Sequence, residues 1–162
     1  MELNYGLKNY FKKKLKSFKN SKFLIVKFIN LLMKNGKKSK SEKIFFDLFK
    51  FLSLKYKKFP ILILFNSLKN ISPLVIMRTV KVKGKSFQVP FPLKESKQIA
   101  IGIKWLIKES RNIKLTQENS FILNLIEQID LAYQKKGNIF DKKNELHELA
   151  KNNRLFAGYR WF

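Results

Sequence analysis

Apolar residues recur along most of the chain at intervals of three and four, which places them on one face of a helix. This pattern predicts six helices, over residues 23–33, about 42–57, 60–70, 94–111, from a cap at Thr116 to a stop at Gly137, and from about 138 to 150. The stretch Leu74–Leu93 alternates instead with a period of two, as strands do. The pattern therefore predicts a mainly α fold, a six-helix domain with a protruding β-hairpin arm between helices three and four.

A tight turn divides this middle stretch into two strands. Val80 and Val82 alternate with polar neighbours before Lys83-Gly84, and the alternation resumes after the turn at Phe87. A glycine at the turn accepts a positive φ angle without a Cβ clash. Because an isolated hairpin is marginally stable in water, we expect this one to pack on helices or on a partner.

The helical pattern also predicts which side chains form the core. The expected core positions of the first three helices are Ile25, Phe28, Ile29, Leu32, Ile44, Leu48, Phe51, Leu52, Ile61, Leu64, Phe65 and Leu68. Those of the last three are Ile99, Ile103, Leu106, Ile107, Phe121, Leu125, Ile126, Ile129, Tyr133, Leu146, Leu149 and Ala150. Gly36 and Gly137 are expected to end helices, and Ser39 or Ser41 to cap the second helix. The fifth helix is acidic, with Asp130 among its carboxylates, so we expect it to serve the core and protein contacts.

The fourth helix separates its charge from its apolar side. Its basic residues fall within a narrow arc opposite the apolar stripe: Lys97, Lys104, Lys108 and Arg111. Such a face is usually just solvated, but ordinary exposed helices mix both signs, and here Glu109 stands only at the margin. The first helix carries a second polar face with Lys27, Asn30 and Lys34. Both faces indicate an anionic partner.

The composition strengthens this interpretation. The 162 residues carry 35 basic and 11 acidic side chains, a net charge of +24, and 45% of them are hydrophobic. Such a charge destabilises a compact chain by self-repulsion unless an anionic partner neutralises it, which favours nucleic acid or an anionic membrane. No apolar run is long enough to span a bilayer, and several helices with a hairpin favour a packed globule over an interfacial helix. We therefore expect no membrane partner.

The length predicts a single helical domain over residues 22–162, preceded by a basic N-terminal arm over residues 1–21. This N-terminal arm contains Lys12, Lys13 and Lys14 with aromatic residues interspersed. A cleaved transit peptide is the alternative, but such peptides favour arginine and avoid acids, whereas lysines and Glu2 stand here. We expect an arm that is retained and ordered by its partner.

The sequence offers no converging set of catalytic side chains. With no cysteine and one histidine, it excludes a disulfide and a thiolate metal site. His147 lacks the second histidine of a zinc-protease motif, because Lys151 stands in that position. The lysines after Gly36 lack the earlier glycine and the preceding strand of a P-loop. We expect no enzyme, no cofactor, no metal and no small-molecule substrate.

The candidate contacts to nucleic acid are mostly cationic residues on several separate surfaces. On the helices and at the C-terminal end they are Lys27, Asn30, Lys34, Lys37, Lys38, Lys97, Lys104, Lys108, Arg111, Lys142, Lys143, Arg154, Arg160 and Trp161. On the hairpin they are Arg78, Lys81, Lys83, Gly84 and Lys85. The terminal aromatics either belong to the core or stack on unpaired bases. A folded RNA could occupy these surfaces together, whereas an architectural DNA-binding protein would insert the basic β arm into a groove.

Five blocks of residues occur in a distinctive order along the chain: Lys27–Ser39, Asn70–Pro73, Gln88–Pro90, Ala100–Leu106 and Ala150–Trp161. Together they resemble the small-subunit ribosomal protein seven family, in its bacterial and organellar form. The resemblance implies six helices with a hairpin between the third and fourth. It also implies a primary binder of the 3′ major domain of small-subunit rRNA, which organises the head of the subunit during translation.

The resemblance further implies the partners of such a protein. These are small-subunit rRNA, other ribosomal proteins of the head and platform, and mRNA and exit-site tRNA near the hairpin arm. Lys97 and Gln98 stand where the family carries two arginines, a change that keeps a positive charge but loses the bidentate guanidinium. The abundance of Lys, Asn, Ile and Phe is expected of an AT-rich coding sequence. We therefore expect a mitochondrial location, with a plastid or an AT-rich bacterial cytoplasm as the alternatives.

Overall fold

The computed structural model describes residues 21–112 and 120–160. Within these ranges the chain forms six α-helices, two strands and a terminal 3-10 helix. The N-terminal arm predicted over residues 1–21 falls almost wholly outside the described residues. Contacts divide the chain into two compact units, one ending at Phe45 and the other beginning at Phe46, and we describe each by itself.

The first unit contains helix α1 (Ser21–Leu32) and the beginning of helix α2 (Lys38–Tyr56). Phe28 is fully buried, and its ring centroid lies 5.4 Å from that of the buried Phe45. Gly36, at φ +70°, lies in the turn between α1 and α2 and not directly after Leu32, so its predicted role as the stop of the first helix is wrong. Helix α2 begins a turn before the predicted residue 42, and the hydroxyl of Ser41 donates to the Lys38 carbonyl at 2.8 Å. Ser41 is therefore inside the helix and does not cap it.

The second unit adds helices α3 (Pro60–Ile71), α4 (Glu95–Asn112), α5 (Ser120–Tyr133) and α6 (Asn138–Asn152), followed by the 3-10 helix Arg154–Tyr159. Helices α3 and α4 both pack on α5. The centre of this core consists of fully buried aliphatic side chains: Leu48, Leu52, Leu64, Leu68, Ile103, Leu106, Leu125 and Ile129. Gly102 lets α4 approach the end of α3, since a Cβ there would lie 2.9 Å from Ser72 Oγ.

Asn70 joins the C-terminal ends of α3 and α5 to a lysine of α6. Its side-chain amide donates to the carbonyls of Ala132 and Tyr133 at 3.1 and 3.2 Å, which satisfies the C-terminal end of α5. Its own carbonyl accepts a hydrogen bond from Lys143 on α6. The end of α3, where the hairpin begins, is thereby fixed to α5 and α6.

Some predicted core positions are wrong. Phe51 on α2 and Phe65 on α3 are 47% and 37% exposed, and Leu149 on α6 is 49% exposed. Helix α2 also carries large apolar side chains on its exposed sides, namely Phe46, Phe51 and Leu54. Its period therefore does not identify one inward face.

The middle stretch is the predicted hairpin. Strand β1 (Val75–Val82) pairs antiparallel with β2 (Lys85–Pro92), and Val82 stands opposite Lys85. The two residues between them, Lys83 and Gly84, have φ angles of +47° and +79°. Two positive φ angles are what a type I′ turn requires, and such a turn matches the twist of the paired strands.

The hairpin has an apolar face and a polar outer face. Val80 stands opposite Phe87 on the apolar face. The outer face is formed by exposed polar side chains: Thr79, Lys81, Ser86 and Gln88. This division follows directly from the alternation in the sequence.

The observed architecture confirms the predicted mainly α fold with a hairpin between the third and fourth helices. Within residues 21–112 and 120–160, no helix has the length and hydropathy needed to cross a membrane. The prediction of one domain over residues 22–162 stays a prediction.

Candidate nucleic-acid interface

The basic face of α4 consists of Lys97, Lys104, Lys108 and Arg111, and the structure leaves all four exposed. On the opposite side Ile103, Leu106 and Ile107 are buried. Glu109, the acidic residue at the margin of this face, accepts a hydrogen bond from the side-chain amide of Asn138 at 3.3 Å. The helix therefore presents aligned cations to solvent and anchors itself by its other side.

Side chains of α5 and α6 contact residues of α4. Lys142 Nζ lies 5.3 Å from the centre of the Trp105 ring, which brings an α6 cation to α4. The guanidinium of Arg111 lies 6.0 Å from the ring of Phe121 on α5. Contacts of this kind hold a flexible cationic side chain against an aromatic ring while its charge stays near water.

Lys143 differs from its neighbour Lys142. Its ammonium donates to the carbonyl of Asn70 at 2.7 Å, and the side chain is half-buried. Burial, with a smaller contribution from the charge of Lys135, lowers the pKa of Lys143. The structure thus places this predicted contact residue at a joint between helices.

The first unit holds five of the predicted contact residues. Lys27 Nζ lies 5.2 Å from the ring of the exposed Phe23, and Asn30 is exposed. Three more exposed lysines follow the end of α1, namely Lys34, Lys37 and Lys38. Lys34 therefore lies beyond the helix on which its spacing placed it.

The predicted hairpin residues fall on different sides of the hairpin. Arg78 shares the apolar face with Lys85, and its guanidinium lies 5.1 Å from the ring of Phe91. Lys81 belongs to the outer face, while Lys83 and Gly84 form the exposed tip. The sequence analysis missed Thr79 and Gln88 of the outer face, although the alternation that reveals them was already visible.

The C-terminal residues pack on the hairpin. Phe87 on β2 lies 5.0 Å from the ring of Phe156 and 5.3 Å from that of Tyr159. Arg154 is exposed, whereas Arg160 is half-buried, and its Nε is buried without a hydrogen-bond partner among the described residues. Trp161 lies outside the described residues.

His147 on α6 accepts a hydrogen bond from the backbone next to the hairpin. Its Nε2 accepts a hydrogen bond from the backbone N–H of Leu74 at 3.1 Å. Burial, followed by the charge of Lys143, lowers the pKa of His147, which favours the neutral ring that can accept this bond. No spacing signal reveals a pairing between residues this far apart in the chain.

Within the described parts of the chain, no three acidic or histidine side chains cluster as a metal site would require. The arrangement is instead one of separate cationic surfaces on an apolar core. A profile of the family described as Ribosomal protein S7p/S5e matches residues 7–154. The chain belongs to this ribosomal protein family.

Individual relatives support the same conclusion. Small ribosomal subunit protein uS7m of Reclinomonas americana is 33% identical over 138 residues, which cover 85% of each chain. The uS7 protein of Wigglesworthia glossinidia brevipalpis is 36% identical over 138 residues, 85% of this chain and 86% of the relative. The uS7 protein of Mesomycoplasma hyopneumoniae strain 7448 is 34% identical over 142 residues, 88% of each chain.

The S7p/S5e family consists of structural proteins rather than enzymes. The match includes the basic face of α4 and the hairpin, and it ends at Arg154. The family is therefore established for the helical core independently of the residues at the C-terminal end.

Proposed function

We propose that this ribosomal protein is a structural constituent of the small ribosomal subunit that binds the 3′ major domain of small-subunit rRNA and organises the head during translation. One observation carries the rRNA-binding part of the proposal. The four aligned cations of the basic face of α4 are exposed, while the same helix is anchored by a buried apolar side. Such a face neutralises phosphates without losing its place in the core.

Phosphate contacts dominate the proposed binding. Lysines provide point charges to phosphates but no planar fork for bidentate base recognition. Lys142 adds a further cation beside α4, and Arg154 and Arg160 add two at the C-terminal end. A folded RNA, whose strands run in several directions, fits such dispersed surfaces better than a straight duplex does.

The hairpin arm, residues 74–93, has a different proposed role. Its exposed tip carries Lys83, and its outer face offers hydroxyl and amide groups beside Lys81. We propose that this arm lies near the mRNA exit site and contacts mRNA and exit-site tRNA. A photoreactive group at position 83 should then cross-link to mRNA or tRNA in assembled subunits, and cross-links confined to rRNA would contradict this role.

The proposed location is the mitochondrial ribosome. The abundance of Lys, Asn, Ile and Phe, which is expected of an AT-rich coding sequence, supports it. One relative is named uS7m, although bacterial uS7 proteins are similar to the same degree. Cosedimentation of the chain with mitochondrial small subunits would support this location. Its recovery with plastid or bacterial cytoplasmic subunits would contradict it.

Charge reversal tests the rRNA interface. Replacing Lys97, Lys104 and Lys108 by glutamate should abolish binding to a head-domain rRNA fragment while helical circular dichroism is unchanged. The matched control reverses Lys50, Lys58 and Lys69, which are equally exposed but lie outside the predicted contacts. If both triple variants lose binding equally, net charge rather than the basic face of α4 is responsible.

Salt and competitor DNA test the nature of the contact. For about 6 to 10 phosphate contacts, affinity should fall by roughly 10³ to 10⁵ between about 50 and 200 mM salt, using the duplex-DNA slope as a guide. Duplex DNA of equal length should compete poorly with the rRNA fragment. Equal competition would favour an architectural DNA-binding protein.

A further inference from the structure

The hairpin arm packs on the C-terminal elements of the chain. Apart from each other, its strands pack mainly on α6 and on the 3-10 helix Arg154–Tyr159. An isolated two-stranded hairpin is marginally stable in water, so its direction depends on what its apolar face packs against. For this arm, that support comes from the C-terminal part of the chain.

The support reaches far along the arm. Phe87 stands opposite Val80, close to the turn, and its ring contacts Phe156 at 5.0 Å and Tyr159 at 5.3 Å. The rings of Phe156 and Tyr159 are themselves nearly parallel, with an interplanar angle of 14° and centroids 6.2 Å apart. The 3-10 helix therefore holds the arm nearer its tip than its base.

A second attachment lies at the base of the arm. His147 on α6 accepts the backbone N–H of Leu74, directly before β1. Together with the aromatic contact this gives two separated points along one arm, and two points determine a direction. Covalent connection at residues 74 and 93 would by itself leave the arm free to swing.

We propose that Phe156 and Tyr159 are positioning residues that set the direction of the hairpin arm. The C-terminal segment fixes the direction of the arm, and the helical core anchors the protein to the proposed rRNA site. The proposal rests on the proposed function only for the purpose of this fixed direction, which is to bring the tip of the arm to mRNA and tRNA. Arg154 and Arg160 flank the two aromatic residues, so rRNA contacts at this segment would act on the same element that aims the arm.

Distance measurement between spin labels tests the aim directly. The chain has no cysteine, so Ser86→Cys on the outer face and Glu127→Cys on α5 give one label pair without competing sites. Both positions are exposed, and Ser86 points away from the aromatic contact. The parent pair should give a single narrow distance by double electron–electron resonance.

The double variant Phe156→Ala/Tyr159→Ala should lose this single distance and show a broad distribution, with native circular dichroism. Leu155→Ala is the matched control, because Leu155 directly precedes Phe156 on the same 3-10 helix and is 89% exposed. Tyr159→Phe retains the ring and should retain the narrow distance. A narrow, unchanged distance in the double variant would overturn the proposal.

The single variant Tyr159→Ala distinguishes unfolding of the protein from loss of the arm's fixed direction. Tyr159 is 39% exposed, so its truncation leaves little cavity, and a partial broadening is expected. If this variant too keeps the parent distance, the proposal fails even when the double variant unfolds. All measurements use the free protein, so a failure of rRNA binding leaves this test unaffected, and an unchanged arm leaves the rRNA proposal standing.

Discussion

Lys143 donates a hydrogen bond from its ammonium to the backbone carbonyl of Asn70, with 2.7 Å between nitrogen and oxygen. Lys142, its neighbour on α6, is exposed and rests on the Trp105 ring. The two adjacent lysines thus have different environments. Their substitution separates a structural from an RNA-binding role.

Lys143→Met should lower the free energy of unfolding by about 1–2 kcal/mol, since it removes a charged donor from a carbonyl at a helix end. Lys142→Met should change it by less than about 0.5 kcal/mol. For rRNA binding we expect the opposite order of effects. Only Lys142→Met should reduce the slope of log affinity against log salt concentration, by about 1. Urea denaturation and filter binding measure the two effects, and equal salt slopes for both variants would argue against this division.

Stability should depend on pH through His147. Its folded-state pKa is lowered from 6.5, so the unfolded chain takes up a proton first as pH falls. Stability should then decrease from about pH 6.5 downward and level off below the folded pKa. Since this is the chain's one histidine, its ring signal in NMR reports the titration without overlap.

His147→Gln provides the control, because its side-chain oxygen can accept the Leu74 N–H without titrating. This variant should lose the pH dependence in the same window. A His147 pKa at or above the usual value would contradict its role as a neutral acceptor of the Leu74 N–H.

Gly102→Ala should destabilise the protein by about 1 kcal/mol. Its Cβ would meet Ser72 Oγ at 2.9 Å, and overpacking of about 1–3 kcal/mol exceeds the gain of about 1 kcal/mol from helix propensity. Ser72 Oγ is buried without a hydrogen-bond partner in the described residues, so Ser72→Ala should be nearly neutral. The double variant should recover stability, and its failure to do so in urea denaturation would place the strain elsewhere.

Tyr56→Phe should cost more than Lys55→Met. Tyr56 donates to Asp130 at 2.6 Å, and Asp130 is 7% exposed, so its loss leaves a buried carboxylate with one partner fewer. We expect about 1.5–3 kcal/mol for Tyr56→Phe. Lys55 pairs with the same carboxylate but its side chain is 55% exposed, which limits its contribution to about 1 kcal/mol or less. Equal losses in thermal unfolding would show that the ion pair matters as much as the hydrogen bond.

Phenol absorbance offers a second measurement at this site. Burial, then the hydrogen bond and charge of Asp130, raise the pKa of Tyr56 far above its usual range. In alkaline titration Tyr56 should therefore ionise at a higher pH than a tyrosine of ordinary pKa. Tyr56→Phe should remove only the last step of the absorbance change.

Gly84→Ala should destabilise the hairpin by about 1–2 kcal/mol, because an L-residue at φ +79° crowds its own backbone. No atom lies within 4 Å of the added Cβ, so the cost is conformational rather than steric contact with neighbours. Gly158→Ala is the matched control, in equally open space but without a positive φ. Amide hydrogen exchange in β1 and β2 should accelerate only in Gly84→Ala.

Much of the fold follows from local pattern. The hairpin and its turn are visible because alternation and a glycine both act over neighbouring residues, and Val80 and Phe87 indeed share a face. The basic face of α4 is visible for the same reason. Periodicity failed in α2, where aromatic residues surround the helix and the sequence carries no preference between Phe49, which is buried, and Phe51, which is exposed.

The hydrogen bonds that connect distant elements could not be predicted in this way. His147 meets Leu74, and Lys143 meets Asn70, across more than seventy positions of sequence. Such pairs form because helix ends leave backbone groups that need partners, and which side chain supplies them depends on tertiary packing. Lys143, which binds a backbone carbonyl, therefore cannot be distinguished in sequence from the exposed Lys142.

The exposed phenylalanines of α2 and α3 bear on the life of the chain before assembly. Phe51 and Phe65 stand in water at 47% and 37% exposure on a protein of charge +24. Exposed apolar side chains promote aggregation, and excess positive charge promotes indiscriminate attachment to any polyanion. We therefore expect a copy that has not joined a subunit to attach to other polyanions and to be less soluble than an assembled one.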